Sequence, residues 1–428
     1  MLQLAGAKCR FLICLGICMS ICSVIYLRAR APMNPQSQMA GFRSLTQSCQ
    51  AYISGNASLP ARHHSDSQLE GYLLGKKGGD LDCSSLLMDL HFITSPLSKE
   101  EENYPLAFIL TVHKELELLL RLLRAIYTPQ NVYCVHVDAK APQTYRQTME
   151  SLAGCLPNMF LASRSETVTY AGFSRLQADI NCMKDLVASP LPWRKVVNLC
   201  GQDFPIKSNL ELVRHLQSKE WRDKNMTPGI KQPASMSYRT QLAYKEVPGS
   251  HVAPVQDSPK KAPPPHGLQI YFGTAYYALT RSFVVFVLQN QVSKDLLEWS
   301  KDTFSPDEHY WVTLNRIKDA PGRDADGGWN GAIRAIKWKN QEGTAHDGCK
   351  GHYVRDICIY GRGDLQWIIN SNQMFANKFE SRTSPEALDC LEQWHRDKVL
   401  QQATVPVQSW WHLATAGNDS ALFTTVRP

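Results

Sequence analysis

LAFILTVHKELELLLRLLRAIYTPQNVYCVHVD, residues Leu106 to Asp138, changes its hydrophobic period twice. Leu106 to Val112 is a nearly continuous apolar run, the pattern of a strand covered on both faces. From Glu115 to Tyr127 the apolar residues recur at helical spacing, and Val132 to Val137 is strand-like again, ending in the carboxylate of Asp138. The pattern returns downstream, with Met159 to Ala162 as a strand, a helix from about Phe173 to Val187 and the strand Lys195 to Leu199. Alternation of this kind predicts an α/β fold with a mainly parallel central sheet, helices on both faces and a ligand at the carboxyl ends of the strands. No G-x-G-x-x-G or P-loop follows any of these strands, so dinucleotide and ATP sites lose their main support.

Around this core the 428 residues, 43% of them apolar, have room for one large catalytic domain or two ordinary ones. The net charge of +7 is spread without a basic run, which excludes a nucleic-acid footprint and permits an anionic small substrate. Phe11 to Leu27 (FLICLGICMSICSVIYL) is uncharged and flanked by Lys8, Arg10, Arg28 and Arg30, as a short membrane-spanning helix would be. A cleaved signal peptide is the rival reading, though no clean A-x-A site follows. Either sends the rest of the chain into the lumen. Four of the 13 cysteines lie in or beside that run, leaving nine, which in an oxidising compartment suggests four bridges and one free thiol. The triplets at Asn56, Asn225 and Asn418 are glycosylation acceptors in pattern.

The segment DTFSPDEHYWVTLNR, Asp302 to Arg316, admits two readings. Ser305 as N-cap and Pro306 at the first helical position start a helix with Glu308 in its first turn. Trp311 and Val312 then flank Glu308, which places the carboxylate at the border of the apolar face, partly desolvated and raised toward the range of a general base. Ser305 to Glu308 is equally an S-x-x-E capping box, in which the glutamate only closes the helix end.

Together with NLCGQDFPIKSN (Asn198 to Asn209), RAIYTPQNVYCVHVD (Arg124 to Asp138) and FANKF (Phe375 to Phe379), this segment resembles the core 2 β-1,6-N-acetylglucosaminyltransferases, from about Cys83 to Cys390. The resemblance implies a GT-A-like domain at 83–390, a single N-terminal transmembrane signal-anchor at 11–27 after a cytoplasmic tail at 1–10, a lumenal stem at 28–82 and a C-terminal tail at 391–428. It implies a single-pass type II Golgi membrane protein with a lumenal catalytic domain, partnered by a UDP-sugar and an O-glycan or glycoprotein acceptor, with room for a homo-oligomer. It implies inverting transfer of N-acetylglucosamine from UDP-GlcNAc to a 6-hydroxyl, with no cofactor and no divalent metal. Glu308 would be the catalytic base. Thr111, Val112, His113, Asp138, Tyr170, Arg355 and Lys378 would serve the donor, the last two cations offsetting charge on the leaving diphosphate, and Trp338 the acceptor. The implied bridges are Cys49 with Cys390, Cys83 with Cys155, Cys134 with Cys182 and Cys349 with Cys358, leaving Cys200 free.

Most enzymes of the GT-A type hold the diphosphate through a metal on an Asp-x-Asp pair. Asp80-Leu81-Asp82 and Asp324-Ala325-Asp326 have that form, but neither follows a predicted strand, and Asp203 has Gly201 where a second carboxylate would be. His346, Cys349, His352 and Cys358 fit no common zinc spacing, and an oxidising lumen favours a bridge between the cysteines. The acceptor side departs from the family pattern. The glutamate that contacts the acceptor sugar falls near Thr227, the basic motif after it has no clear equivalent in MSYRTQLAYKEV, the Trp-x-Tyr pair reads Trp338-Lys339-Asn340, and the segment between Gly322 and Trp338 is shorter. The Pro-rich stretch from Trp221 to Gly267 is a long surface insertion or a flexible wall over the acceptor site. A lumenal glycan- or partner-binding protein with little catalysis, and a transferase using another donor sugar, stand as alternatives. UDP-dependent stabilisation without transfer would distinguish the former.

Overall fold

The computed structural model describes residues 47–54, 82–255 and 260–413. Two short helices come first, α1 (Gln47–Ile53) and α2 (Cys83–Asp89). Then β1 (Leu106–Val112), α3 (Leu116–Ile126), β2 (Val132–Val137), α4 (Gln143–Cys155), β3 (Met159–Leu161), α5 (Phe173–Ala188) and β4 (Lys195–Cys200) alternate. β1 runs parallel to β2 and β4, and β2 parallel to β3. β10 (Ala278–Thr280) closes one edge antiparallel, giving the order β10-β4-β1-β2-β3. The fold is therefore mixed α/β with a mainly parallel central sheet.

The uninterrupted apolar run of β1 is needed because the sheet divides two cores. Leu106, Phe108, Leu110 and Val112 join Tyr133, Val135 and Val137 beneath α3 and α4, while Ala107, Ile109, Val132 and Cys134 face the opposite way onto α5. Each fully buried aliphatic side chain stabilises by roughly 2 kcal/mol, so a charge at Ile109 would disrupt the sheet. Helix α4 had no counterpart among the elements expected from sequence. Its buried stripe of Tyr145, Thr148, Met149, Leu152 and Cys155 includes a hydroxyl and a bridged sulfur, which leaves a weak apolar signal.

A second, three-stranded sheet joins β5 (Asp203–Pro205), β11 (Arg334–Ala335) and β14 (Phe375–Asn377) in the order β11-β14-β5. The Pro-rich insertion holds β6 (Gly229–Lys231), paired with β9 (Tyr271–Gly273), and the hairpin of β7 (Tyr244–Val247) and β8 (His251–Pro254). Helix α6 (Tyr310–Leu314) follows the Glu308 segment, and the hairpin of β12 (His352–Val354) and β13 (Ile357–Ile359) precedes the C-terminal helix α7 (Pro385–Gln401).

The four expected bridges are all present. Cys49–Cys390 ties α1 to α7, Cys83–Cys155 ties α2 to α4, Cys134–Cys182 ties β2 to α5, and Cys349–Cys358 closes the β12–β13 hairpin. Cys200 is the free cysteine among the described residues. No helix among them is long and apolar enough to cross a membrane. The expected anchor at Phe11 to Leu27, Asn56, Asp80, Asn418 and most of the stem lie outside the described residues.

Candidate active site

Neither the N-cap nor the capping box expected at Ser305 forms. Ser305 is left-handed, at φ 48°, and its side chain caps nothing, because its backbone N–H is committed to the carbonyl of Ala171 at 2.8 Å. Pro306–Glu308 is a 3-10 turn, and the α-helix begins only at Tyr310. The turn is held by the burial of Tyr310, Trp311, Val312 and Leu314, with Trp311 packed 4.9 Å from the Tyr277 ring. Glu308 is thus released from any helix-end role, and its carboxylate accepts a hydrogen bond from Arg239 Nη1 instead.

Glu308 keeps 33% of its side chain exposed, yet loss of solvent pushes its pKa up to about 7. The neighbouring charge of Asp307 raises it further, and Arg239 opposes both. Asp307 is itself buried, and burial raises its pKa against the pull of Arg175. Behind it, Arg175 Nη1 donates to Asp179 Oδ1 at 2.5 Å, and the other Asp179 oxygen accepts from Tyr277 Oη at 3.0 Å and Asn198 Nδ2 at 3.2 Å. Arg239 is packed between Phe272 and Phe304, 5.0 and 5.3 Å from their centroids, which holds its fork on the glutamate. None of Arg239, Asp307, Arg175 and Asp179 was singled out from sequence. Arg239 stands 69 residues from Glu308 in the chain and meets it only through the fold. The stretch MSYRTQLAYKEV delivers this one cation to the Glu308 carboxylate.

The donor candidates gather at the carboxyl ends of the strands. Asp138 N donates to Val112 O at 2.9 Å, so the two strand ends abut. Asp138 is buried and paired with Lys140 at 2.9 Å. Val112 is buried and offers backbone only, the Thr111 hydroxyl points toward Asp179 at 3.5 Å, and His113 is exposed. Tyr170 is 65% exposed and lies beneath Arg355, whose guanidinium carbon is 4.0 Å from the ring centroid. Arg355 occupies the two-residue turn of the β12–β13 hairpin at φ 50°, followed by Asp356 at φ 63°. The Lys378 ammonium has its pKa lowered chiefly by burial, with Lys114 and Arg355 contributing as neighbouring cations and Cys200 and Glu380 opposing. Lys378 follows Asn377, whose Nδ2 lies 3.5 Å from the Cys200 sulfur at the end of β4.

On the acceptor side, Trp338 bridges to Ile357 beside the Arg355 hairpin. Thr227 is buried, its hydroxyl accepting from Asn315 Nδ2 at 2.8 Å and Arg316 Nη1 at 3.3 Å. Asn225 is 1% exposed, and its Nδ2 donates to Asn315, Pro321 and Gly322 at 2.8 to 3.0 Å. A sugar on that nitrogen has no room in this fold, so the expectation of a glycan at Asn225 is corrected by burial.

The carboxylate best placed for a metal, Asp203 after β4, is already saturated. Its oxygens accept from Arg334 Nε at 3.0 Å and Nη2 at 3.1 Å, from Asn377 Nδ2 at 2.9 Å and from Cys200 N at 2.8 Å. Asp82 caps α2 through Ser84 N. The sulfurs of Cys349 and Cys358, which lie with Asp364, are joined to each other and are not thiolate ligands. His346 Nε2 is 2.8 Å from the Trp338 carbonyl, a structural bond. A cavity of about 660 Å³ lined by Trp367, Asn370, Gln373 and part of Arg334 includes none of the donor or base residues.

Residues 106–369 match the family described as Core-2/I-Branching enzyme. A human protein named "Probable beta-1,3-galactosyl-O-glycosyl-glycoprotein beta-1,6-N-acetylglucosaminyltransferase 7" is 48% identical over 427 residues, 96% of this chain and 97% of that protein. The human "N-acetyllactosaminide beta-1,6-N-acetylglucosaminyl-transferase" is 47% identical over 371 residues, 86% of this chain and 89% of that protein. Among solved structures, mouse xyloside xylosyltransferase 1 in its apo form covers 50% of this chain and is itself covered over 82%, at 13% identity and a TM-score of 0.26, too slight a likeness to bear on the fold.

Proposed function

The chain belongs to the Core-2/I-branching enzyme family and is a glycosyltransferase, and from that premise we propose that it moves N-acetylglucosamine from UDP-GlcNAc to a 6-hydroxyl of an O-glycan, with inversion and without a divalent metal. The observation that carries this reading is Glu308, a carboxylate with its pKa raised to about 7, open to solvent on one side and gripped by Arg239 on the other. Glu308 takes the proton from the acceptor hydroxyl as that oxygen bonds to the anomeric carbon. The bond from that carbon to the UDP oxygen breaks on the opposite face, and Arg355 and Lys378 stabilise the departing diphosphate. Holding both reactants in line supplies much of the acceleration.

The saturation of Asp203 supports the metal-free form of the reaction, since both oxygens of that carboxylate are already taken by protein donors. The domain in this reading is GT-A-like and works in the Golgi lumen behind the anchor at Phe11 to Leu27. The four bridges agree with an oxidising compartment.

Transfer by the full-length chain from UDP-GlcNAc in excess chelator tests the proposal. Chelator-resistant product is expected, and Glu308→Gln should lower kcat by about 10² to 10⁴-fold. Normal turnover by that variant would remove the mechanism. A second acceptor class is favoured by Thr227, a buried neutral residue where the family pattern has an acceptor glutamate. The acceptor panel therefore includes N-acetyllactosamine chains beside galactosyl-N-acetylgalactosamine, matching the two kinds of named relative.

A further inference from the structure

Three parts of the molecule meet around Glu308, and each is bonded to the other two. The base turn is tied to the donor-side loop by Ser305 N donating to Ala171 O at 2.8 Å, and to the insertion by Phe304 N donating to Arg239 O at 2.9 Å. The third side is closed by the β7–β8 hairpin. Glu246 on β7 accepts from Ser174 N at 3.1 Å and from the Ser174 hydroxyl, in the first turn of α5. That hydroxyl in turn accepts from Thr169 N at 2.8 Å, and Thr169 Oγ1 accepts from Gly249 N at 2.8 Å at the hairpin tip. A carboxylate at a helix N-terminus is favoured by the helix dipole. The seat is built for it: a side chain on Gly172 would collide with the Glu246 carboxyl. The same loop reaches the donor strands, since Val168 N donates to Asp138 Oδ1 at 3.4 Å.

We infer that Glu246 is a positioning residue that bolts the insertion carrying Arg239 to the donor-side loop, so that occupation of the donor site is felt at the catalytic base. The inference rests on the donor and base assignments proposed above. Glu246 touches neither substrate nor the reacting atoms. It acts by fixing where Arg239 stands, and Arg239 fixes Glu308. With the bolt in place, a nucleotide that orders Asp138, Val168 and Tyr170 also orders Phe304 and Ser305. Without it, the hairpin keeps its bonds to Thr169 and the base turn its single bond to Ala171, and the coupling between the two substrates weakens. The coupling expected is about tenfold in acceptor affinity.

The test is hydrogen exchange on the full-length chain, with and without UDP, in the wild type and in Glu246→Ala, read at the amides of Asp138, Val168, Phe304 and Ser305. In the wild type UDP should slow all four. In Glu246→Ala, Phe304 and Ser305 should exchange faster and respond to UDP several-fold less than in the wild type, while Asp138 responds as before and the β1 and β2 amides are unchanged. Should the alanine variant fail to fold, Glu246→Gln, which keeps one acceptor oxygen for Ser174, is read in the same way and should lie between the two. Acceptor KM at saturating donor and donor KM at saturating acceptor should both rise about tenfold in Glu246→Ala, while binding of UDP alone is little changed, a pattern that loss of folded protein would not produce. UDP that slows Asp138 and Val168 but leaves wild-type Phe304 and Ser305 untouched overturns the bolt alone, as does a variant whose Phe304 and Ser305 respond as fully as the wild type. UDP that slows none of the four overturns the donor assignment, and the coupling with it.

Discussion

In the proposed mechanism Glu308 must be ionised to take the proton, so activity should rise with pH through about 7 and level off above it. Its neighbours set where that limb falls. Asp307→Asn removes a negative charge that favours the protonated form, and the limb should move to lower pH. Arg239→Gln removes the positive charge that favours the ionised form, and the limb should move to higher pH, with kcat reduced as well because the carboxylate loses its anchor. Profiles of kcat against pH for the two variants, moving in opposite directions, check both signs at once. Identical profiles would remove Asp307 and Arg239 from the base's electrostatics. Glu308 was singled out in the sequence through the family resemblance, its own segment admitting a capping role as well. The reason it titrates near neutrality was not legible there, because its tuning comes from Arg239, which is distant in the chain, and from the buried group of Asp307, Arg175 and Asp179. Even the local reading of Ser305 as a cap failed for a non-local cause, the bond from its N–H to Ala171.

At the level of the element, the β12–β13 hairpin separates fold from chemistry. Its two turn residues, Arg355 and Asp356, both lie at positive φ, the geometry that tight two-residue hairpins favour and that suits glycine. Arg355→Gly should therefore leave thermal stability nearly unchanged, while loss of the cation over Tyr170 should lower kcat by about 10²-fold. A melting curve and a turnover assay on one sample decide the matter. A large drop in melting temperature would show that Arg355 holds the hairpin, whereas unchanged turnover would remove it from the diphosphate. Strands β1, β2 and β4 were read from sequence almost to the residue, since fully covered strands need unbroken apolar runs. Helix α4 escaped because threonine and a bridged cysteine stand in for leucines on its buried side, and β6 and the β7–β8 hairpin escaped because short strands carry little periodicity.

For the whole molecule, the longest closure is Cys49–Cys390, which spans 341 residues and joins the first described helix to the last long one. Replacing both cysteines by serine should cost about 2–5 kcal/mol of stability, measured by denaturant unfolding, with kcat per folded molecule unchanged because neither sulfur is near Glu308 in the described contacts. An equal loss of kcat would mean that the helix pair supports the site directly. The bridges share a further property. Among the described residues none begins or ends between Cys182 and Cys349, the span that holds the insertion, Thr227, the base turn and Trp338. A lineage can lengthen, shorten or replace loops across that span without unpairing a single sulfur, while β2 stays stapled to α5. The shorter segment between Gly322 and Trp338 that the family resemblance implies would be an edit of this kind, and new acceptor preferences would arise there by drift in loop length before any change in the sheet.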